Sequence, residues 1–498
     1  MRSAAMNPTG TSPVVHQGEV IPHEYLDGLL SRDNVRDALT KQFFEGNYAL
    51  FDKYWSTLKE QELREAFRTI FGMTVERDDR PHAFVVYGAS GYTGKLILDY
   101  IYSHVEGLGK DITFALAGRT PSKLEDRVRE IAAKFPNISY RPTIIKADIA
   151  NHIDIRNLVL SARCVLNVAG PFMTTNAHLL VEACLDYDCD YVDVNGEVPF
   201  THKLITHHDW AKKKRVLICP NAAGAGGLPD LAAFYAAEEL RKVADGDIAK
   251  VHCFIASNGG VPSGGTLATR AAMTAAMGKV AKIMGDPFAL GGVVGDGKRF
   301  EDSDRLLNKI EHYEDFDGWS APFTYAFYDT RLIRRSNWLL SDLGEDPYGR
   351  KFNYTEHLIV PTEAAAKALA SSNTSSKKEE EKLKSEGRLY GLGQGLDDAT
   401  REKLFTDYYL NATSEDGKSI RAKVSGKDGY DETARLSVEM TLLFATRRDE
   451  LPFDGGVLTP AVAGGHAILE AVKKSGVTFE TLPDDFRVDF SKVTERVA

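Results

Sequence analysis

The chain has 498 residues, of which 43% are hydrophobic, and it carries a formal net charge of −10. At roughly 150 residues per domain, this length suggests two to four globular domains. The acidic balance argues against a general nucleic-acid binder, which would carry a basic face. Because no apolar stretch reaches the roughly 18 residues that a membrane-spanning helix requires, the sequence predicts no transmembrane segment.

Cysteine usage and the N-terminus bear on the cellular compartment. The five cysteines are odd in number and include no C-x-x-C pair, which favours reduced, buried thiols and gives no metal-site pattern. The N-terminal "MRSAAMNPTGTSP" lacks the apolar segment of a secretory signal. We therefore expect a cytoplasmic protein, with a mitochondrial location as the open alternative.

Residues 1–80 are predicted to be an extension of the main fold. The first 20 residues are small and polar, which favours disorder. From Pro22 to Met73 apolar residues recur every three or four positions, which predicts helices. Such helices would pack on the body of the protein or on a partner subunit, so a homodimer stays open.

Residues 81–220 alternate between strand and helix patterns. Helical patterns separate six short apolar runs. These runs begin at Ala83, Ile112, Thr143, Cys164, Tyr191 and Val216. Nearly continuous apolar strands, each followed by a helix, are typical of a doubly wound parallel sheet covered on both faces. We expect an α/β domain of Rossmann type.

The regular alternation ends near Asn221. Residues 221–454 mix Gly-rich loops, strands and aromatic segments, which predicts an α+β domain for substrate binding or dimerisation. Within it, the charged, low-complexity residues 371–388 are expected to form a solvated helix or a mobile insertion. Residues 455–498 are predicted to return to the body through a helix.

The segment "VVYGASGYTGKL", residues 85–96, follows the first predicted strand and opens a helix. In this context a glycine-rich turn is typical of a dinucleotide site, with a bare structural turn as the alternative. Gly88 would permit the tight turn, Gly91 the approach to a pyrophosphate, and Gly94 the close packing of helix on strand. The first backbone N–H groups of the helix would face the phosphates. The predicted contacts are Gly88, Ser90, Gly91, Tyr92, Thr93 and Gly94.

The end of the second predicted strand favours NADP over NAD. An NAD site typically carries an acid about 20 residues after the glycine loop, where it binds the ribose hydroxyls. The sequence there reads "ALAGRTPSKL", with Arg119 and Lys123 and no acid. A guanidinium suits the 2′-phosphate of NADPH.

Two further strand ends are predicted to complete the cofactor site, because ligands bind at the carboxyl ends of parallel strands. Asp148, after the third strand, would lie near the adenine. The segment "LNVAGPF" would border the nicotinamide through Asn167, Ala169, Gly170 and Pro171.

No familiar catalytic motif identifies the proton donor. The sequence contains no Tyr-x-x-x-Lys, no H-E-x-x-H and no G-x-S-x-G. Each available residue near the expected nicotinamide is also compatible with a structural role, and the acids could instead hold loops by accepting backbone N–H groups. These candidates are Tyr92, Asn167, Glu197 and Asp230, with Ser263 and Thr266 as further hydroxyl groups.

Six motifs occur in order between about Pro81 and Val477: "YGASGYTGKL", "ALAGRTPSKL", "VLNVAGPF", "YVDVNGE", "SGGTLAT" and "GGVLTPA". Together they resemble the saccharopine dehydrogenase-like oxidoreductases. That family includes bacterial trans-acting enoyl reductases of complex-lipid assembly and a eukaryotic member reported with lipid droplets and membranes. The resemblance implies a Rossmann domain followed by an α+β domain. Residues 1–80 and 371–388 lie outside the family pattern.

Three functions stay open. The favoured one is an NADP(H)-dependent oxidoreductase of lipid metabolism that acts on an apolar or lipid-linked carbonyl or enoyl substrate. The second is a catalytically weak nucleotide-binding protein that makes peripheral contact with lipid droplets or membranes. The third, saccharopine-type amino-acid oxidoreduction, requires clustered cations for substrate carboxylates, and "TRLIRRSNW", residues 330–338, is its only hint.

Overall fold

A computed structural model describes residues 75–259, 261–291, 302–372, 381 and 383–493. The predicted helices between residues 22 and 73 lie outside the described residues, as do residues 373–380 and 382 of the charged insertion. The described chain forms two seven-stranded sheets, and helices cover them.

The first sheet is parallel throughout, with strand order β13-β6-β5-β4-β1-β2-β3, and its edge strand β13 is Gly456–Val457. Its first six strands are β1 (His82–Tyr87), β2 (Phe114–Gly118), β3 (Thr143–Lys146), β4 (Ala162–Asn167), β5 (Asp190–Asp193) and β6 (Leu217–Cys219). The intervening helices are α1 (Tyr92–His104), α2 (Pro121–Lys134), α3 (His152–Leu160), α4 (Ala177–Asp186), α5 (Val198–Leu204) and α6 (His208–Lys214). All six predicted strands are present, and the predicted Rossmann-type sheet is confirmed.

Burial on both faces explains why these strands read as continuous apolar runs. Successive side chains of a strand point to opposite faces. Phe84 and Val86 of β1 join one core cluster, whereas Val85 and Tyr87 join another on the opposite face. All four are buried, and full burial of a large apolar side chain stabilises the fold by roughly 1.5–3 kcal/mol.

The second sheet is mixed, with strand order β14-β12-β11-β7-β10-β9-β8. Its strands are β7 (Ile248–Ser257), β8 (His312–Tyr313), β9 (Gly318–Ala321), β10 (Asn353–Val360), β11 (Thr406–Ser414), β12 (Ser419–Gly426) and β14 (Thr478–Leu482). Strands β7 and β10 run parallel, and the other pairs are antiparallel. The associated helices are α7 (Gly227–Arg241), α8 (Gly264–Met284), α9 (Ala326–Asp342), α10 (Glu363–Ser372), α11 (Asp398–Arg401), α12 (Gly429–Thr446) and α13 (Pro460–Lys474).

The C-terminal segment contributes to both sheets. Strand β13 (Gly456–Val457) pairs with β6 at one edge of the first sheet, and β14 pairs with β12 in the second. Helix α12, which the sequence placed in the second domain, packs on α1 and on β4 and β5 of the first sheet. A parallel sheet needs cover on both faces, and α12 provides part of it. The predicted domain boundaries stay a prediction.

All five cysteines are buried and free, as the sequence predicted. Within the described ranges, no group of three or more His, Cys, Asp or Glu side chains could hold a metal ion. Among the helices of the described chain, none is both long enough and apolar enough to cross a membrane.

Two buried carboxyl groups meet between α9 and the second sheet. Asp329 and Glu356 are both 0% exposed, and both carboxyl oxygens of Asp329 and Oε2 of Glu356 have no hydrogen-bond partner among the described residues. The hydroxyl of Tyr354 donates to Glu356 at 3.1 Å. Burial raises the pKa of both acids, that of Glu356 to about 7. Burial and the repulsion between two buried negative charges therefore favour at least one protonated carboxyl in this pair.

We expect Asp329→Asn to weaken the dependence of stability on pH. A carboxyl whose pKa is raised by folding contributes stability that is lost as pH rises from its unfolded value through its folded value, here from about pH 4 to pH 7 and above. Relative to wild type, the variant should therefore gain about 1–3 kcal/mol at pH 8 compared with pH 5. Urea unfolding across this range measures it, with the exposed Asp346→Asn as the control. Parallel curves for wild type and Asp329→Asn would contradict the raised pKa of Asp329.

Candidate functional site

The glycine loop between β1 and α1 is shaped by close backbone approach. Gly88 has φ +90°, and a Cβ there would lie 2.8 Å from Ala169. A Cβ at Gly94 would lie 2.4 Å from the carbonyl oxygen of Ala89. Because both contacts involve backbone atoms, only glycine fits without movement. The predicted roles of the first and third glycines in turn and packing agree with this geometry.

Helix α1 begins with unsatisfied backbone donors. Gly91 is its N-cap residue and has no side chain to accept from the first turn. The N–H groups of Tyr92, Thr93 and Gly94 therefore lie at a helix N-terminus without a side-chain cap, while Lys95 N already donates to Gly91 O at 3.1 Å. Such a terminus favours an anion. The loop and this terminus fit a pyrophosphate.

Tyr92 does not offer its hydroxyl to this site. The hydroxyl donates to Leu396 O at 2.9 Å, and a Cβ at Gly395 would lie 2.5 Å from the Tyr92 ring. Residues 391–397, here called the strap, thus pack beside the start of α1. Lys95 and Asp398 form an ion pair of 2.9 Å that holds the chain just after the strap.

At the end of β2, where the sequence predicts contacts to the adenosine half of the cofactor, Arg119 and Lys123 are exposed at the start of α2. Arg119 has no carboxylate partner among the described residues, so its guanidinium is available to an anion. Asp148 is engaged locally and accepts from Ala150 N at 3.0 Å. Arg127 of α2 donates to Ser90 O at 3.1 Å and so holds the glycine loop. Sequence reasoning missed Arg127.

At the carboxyl ends of β4 and β5, where the sequence predicts the nicotinamide, Asn167 and Glu197 hold loops. Asn167 is buried, donates to Tyr191 Oη at 3.1 Å and accepts from Ala169 N at 3.0 Å. It thereby fixes the segment that continues through Gly170 and Pro171.

Glu197 completes this arrangement from the loop after β5. It accepts from the backbone N–H groups of Phe172 at 2.9 Å and of Met173 at 2.7 Å. Burial raises its pKa. Glu197 thus holds a loop by accepting backbone N–H groups, which is the alternative to catalysis that the sequence left open for this acid.

A buried polar network joins the carboxyl ends of β4, β5 and β6. Asp193 Oδ1 accepts from Asn195 N at 2.9 Å and from Asn221 N at 3.1 Å, and Oδ2 accepts from Tyr191 at 3.0 Å. Burial raises the pKa of Asp193 to about 6. Asn195 O accepts from the hydroxyl of Tyr328 on α9 at 2.9 Å, which connects the network to the second domain. The motif "YVDVNGE" contains these residues, but their connection to β6 and α9 has no local sequence signal.

Asp230, the second candidate acid, is fully buried at the start of α7. Its carboxylate accepts from the hydroxyl of Ser336 and from Ala461 N at 2.8 Å. Burial raises its pKa to about 7. Asp230 therefore holds the start of α13 against α9. This is again the structural role that the sequence left open as the alternative to catalysis.

The first two turns of α8 line the opposite side of the site. Ser263 caps this helix by accepting from Thr266 N at 3.3 Å, and Thr269 lies 3.4 Å from Glu197 Oε1. The hydroxyl of Tyr430, on α12, accepts from Ser263 N at 2.6 Å and lies 2.7 Å from Thr266 Oγ1. The Tyr430 ring meets that of Tyr92 edge-on at 5.3 Å. We call the described residues Ser263–Arg270 and Tyr430 the α8 wall.

The arginines of "TRLIRRSNW" do not form a substrate site, which removes the only sequence hint for saccharopine-type activity. All three are buried. Arg331 and Arg334 bind Asp304 at 2.9 and 2.6 Å, and Arg334 also binds Asp302 at 2.7 Å. Arg335 donates to Leu290 O at 2.7 Å. They anchor the chain on either side of residues 292–301.

Comparison with known proteins gives relatives along most of the chain. A trans-acting enoyl reductase of Mycobacterium bovis is 29% identical over 426 residues, which cover 81% of this chain and 98% of the relative. One of Mycobacterium ulcerans is 26% identical over 423 residues, 80% of this chain and 97% of the relative. No family model matches the chain. The resemblance inferred from the six motifs is confirmed by these relatives.

Among solved structures, the L-Glu-forming saccharopine dehydrogenase of Saccharomyces cerevisiae is similar over 80% of this chain and 99% of its own length. The identity is 12% and the TM-score is 0.45.

Two glycine-to-alanine variants test the close packing of the glycine loop. Gly94→Ala should lower the free energy of unfolding by about 1–3 kcal/mol, because its Cβ would overlap Ala89. Gly278 also lies in a helix but has no atom within 4 Å of its Cβ position, so Gly278→Ala should stabilise by about 0.5–1 kcal/mol. Denaturant unfolding measures both. Equal effects of the same sign would contradict the proposed packing.

Proposed function

Because this chain is related to the trans-acting enoyl reductases, we propose that it is an NADP(H)-dependent oxidoreductase whose substrate is an apolar or lipid-linked enoyl or carbonyl compound. An oxidoreductase is supported by those relatives and by the Rossmann-type sheet. The observation that carries the proposal is the glycine loop, which leads into a helix N-terminus without a side-chain cap.

The preference for NADP(H) rests on Arg119. This arginine follows β2, is exposed, and stands where an NAD site typically has an acid. A guanidinium binds a phosphate through two parallel hydrogen bonds, whereas an acid would repel it. Lys123, one turn into α2, adds a second positive charge. When bound, NADPH would supply the hydride, and the protein's part is to position and enclose the reactants.

The apolar substrate is supported by the composition of α8. Beyond Thr269 the same helical face continues through Met273, Ala276 and Met277, at three- and four-residue spacing. Met273 and Ala276 are half-buried, and Met277 is 43% exposed. An apolar approach beside the nicotinamide end suits a hydrocarbon chain better than a charged amino acid. The relatives' printed names also point to an enoyl substrate.

Titration with NADPH and NADH tests the cofactor. We expect NADPH to bind more tightly to wild type and about 10- to 100-fold more weakly to Arg119→Ala, since a charged hydrogen bond contributes about 1.5–3 kcal/mol. NADH binding should be nearly unchanged. Nicotinamide fluorescence measures both, and Arg487→Ala, an exposed arginine elsewhere, is the control. Equal NADPH affinity of wild type and Arg119→Ala would contradict the assignment.

Turnover tests the reaction. Purified protein with NADPH is offered a medium-chain trans-2-enoyl thioester and the matching 3-oxoacyl thioester, and the loss of nicotinamide absorbance is followed. Consumption with either substrate supports the proposal and identifies the reducible group. Cofactor binding without consumption would favour the catalytically weak nucleotide-binding protein instead. Failure to bind either nucleotide would contradict both functions.

A further inference from the structure

Three hydroxyl groups meet on the α8 wall. The phenolic oxygen of Tyr430 lies 2.7 Å from Thr266 Oγ1, and Thr266 Oγ1 lies 3.3 Å from Ser263 Oγ. Thr266 and Tyr430 are half-buried as whole residues. Tyr430 begins helix α12, which packs on the first sheet, whereas Ser263 and Thr266 begin α8. The cluster therefore lies where the two sheets' elements meet.

The hydrogen bonds determine which proton can leave. The backbone N–H of Ser263 points at the phenolic oxygen of Tyr430 from 2.6 Å and can only donate. The proton of Tyr430 itself is then free to bind Thr266 or a ligand oxygen. If this proton leaves, the same N–H stabilises the phenolate. Burial raises the pKa of Tyr430, so the hydroxyl carries its proton at neutral pH.

The other candidate groups near the site are already committed. Glu197 accepts two backbone N–H groups, and Asp230 accepts one from the start of α13. Tyr92 donates its proton to Leu396 O, and Asn167 is held between Tyr191 and Ala169. Tyr430 contacts Tyr92 in the first turn of α1. Tyr430 therefore has a proton that it can donate, and it lies beside the glycine loop.

We propose that Tyr430 is the proton donor of the reaction, an assignment that rests on the proposed reductase function. A bound reduced nicotinamide cofactor would supply the hydride, that is, two electrons and one hydrogen nucleus for the substrate carbon. The O–H bond of Tyr430 breaks as its proton bonds to the resulting enolate or alkoxide. The phenolate left behind is held by Ser263 N–H and regains a proton from water through Thr266.

The conservative variant Tyr430→Phe tests this role. It keeps the ring contact with Tyr92 and removes only the hydroxyl. General acid catalysis typically contributes about 10²- to 10⁴-fold, so we expect kcat to fall by that factor while NADPH affinity changes less than about twofold. Tyr409→Phe, which lies in a separate core cluster of the second sheet, is the matched control. It should leave both quantities unchanged.

The dependence on pH gives a second readout that a structural role would not move. Wild-type kcat should fall at alkaline pH as Tyr430 loses its proton, and the residual activity of Tyr430→Phe should lack this alkaline limb. If Tyr430→Phe does not fold, Thr266→Val decides instead, because it removes the hydroxyl through which Tyr430 regains its proton. We then expect kcat to fall while NADPH affinity is kept, and an unchanged kcat overturns the proposed proton route.

The failure of this assignment is distinguishable from failure of the proposed function. Wild-type turnover with equal kcat in Tyr430→Phe overturns the role of Tyr430 and leaves the reductase standing. Loss of NADPH affinity in a folded Tyr430→Phe makes Tyr430 a cofactor-binding residue and also overturns it. Binding of NADPH without turnover in wild type overturns both.

Discussion

The buried carboxylate of Asp193 determines how the carboxyl ends of three neighbouring strands are held together. It binds the backbone of Asn195 and Asn221 and the hydroxyl of Tyr191. An unpaired buried charge would be strongly destabilising, so these donors and the carboxylate require one another. Because Tyr191 also accepts from Asn167, the β4 end is included. The edge of the sheet that faces a ligand is therefore fixed as one unit.

The second domain depends on the same unit. Tyr328 donates to Asn195 O, which connects α9 to the loop after β5. Thr269 approaches Glu197, which connects α8 to the segment that follows Pro171. Helix α12 packs on the first sheet and also brings Tyr430 against Ser263. The glycine loop, the α8 wall and the second sheet are thus connected through shared contacts.

The sequence was informative wherever the signal is local. Apolar runs predicted all six strands, because strands buried on both faces exclude polar residues. The glycine loop was predictable, because a tight turn and a close helix each demand a residue without Cβ. The sequence could not decide between a catalytic and a loop-holding role for Glu197 and Asp230, and it did not predict the partners of the arginines after Thr330. The partners of these side chains lie far away in the sequence. The local sequence around a carboxylate that accepts a backbone N–H group does not differ from that around a catalytic carboxylate.

The hydrogen bonds of the two acids at the site limit which groups there can transfer a proton. Glu197 and Asp230 are occupied by backbone donors, and freeing either would leave buried N–H groups without partners. Proton transfer by these acids would therefore disturb the loops that form the site. A reductase needs only one proton per turnover from the protein, since the electrons come from the cofactor. A tyrosine hydroxyl meets this need without disturbing these loops, and the backbone N–H of Ser263 can stabilise the phenolate that proton donation leaves.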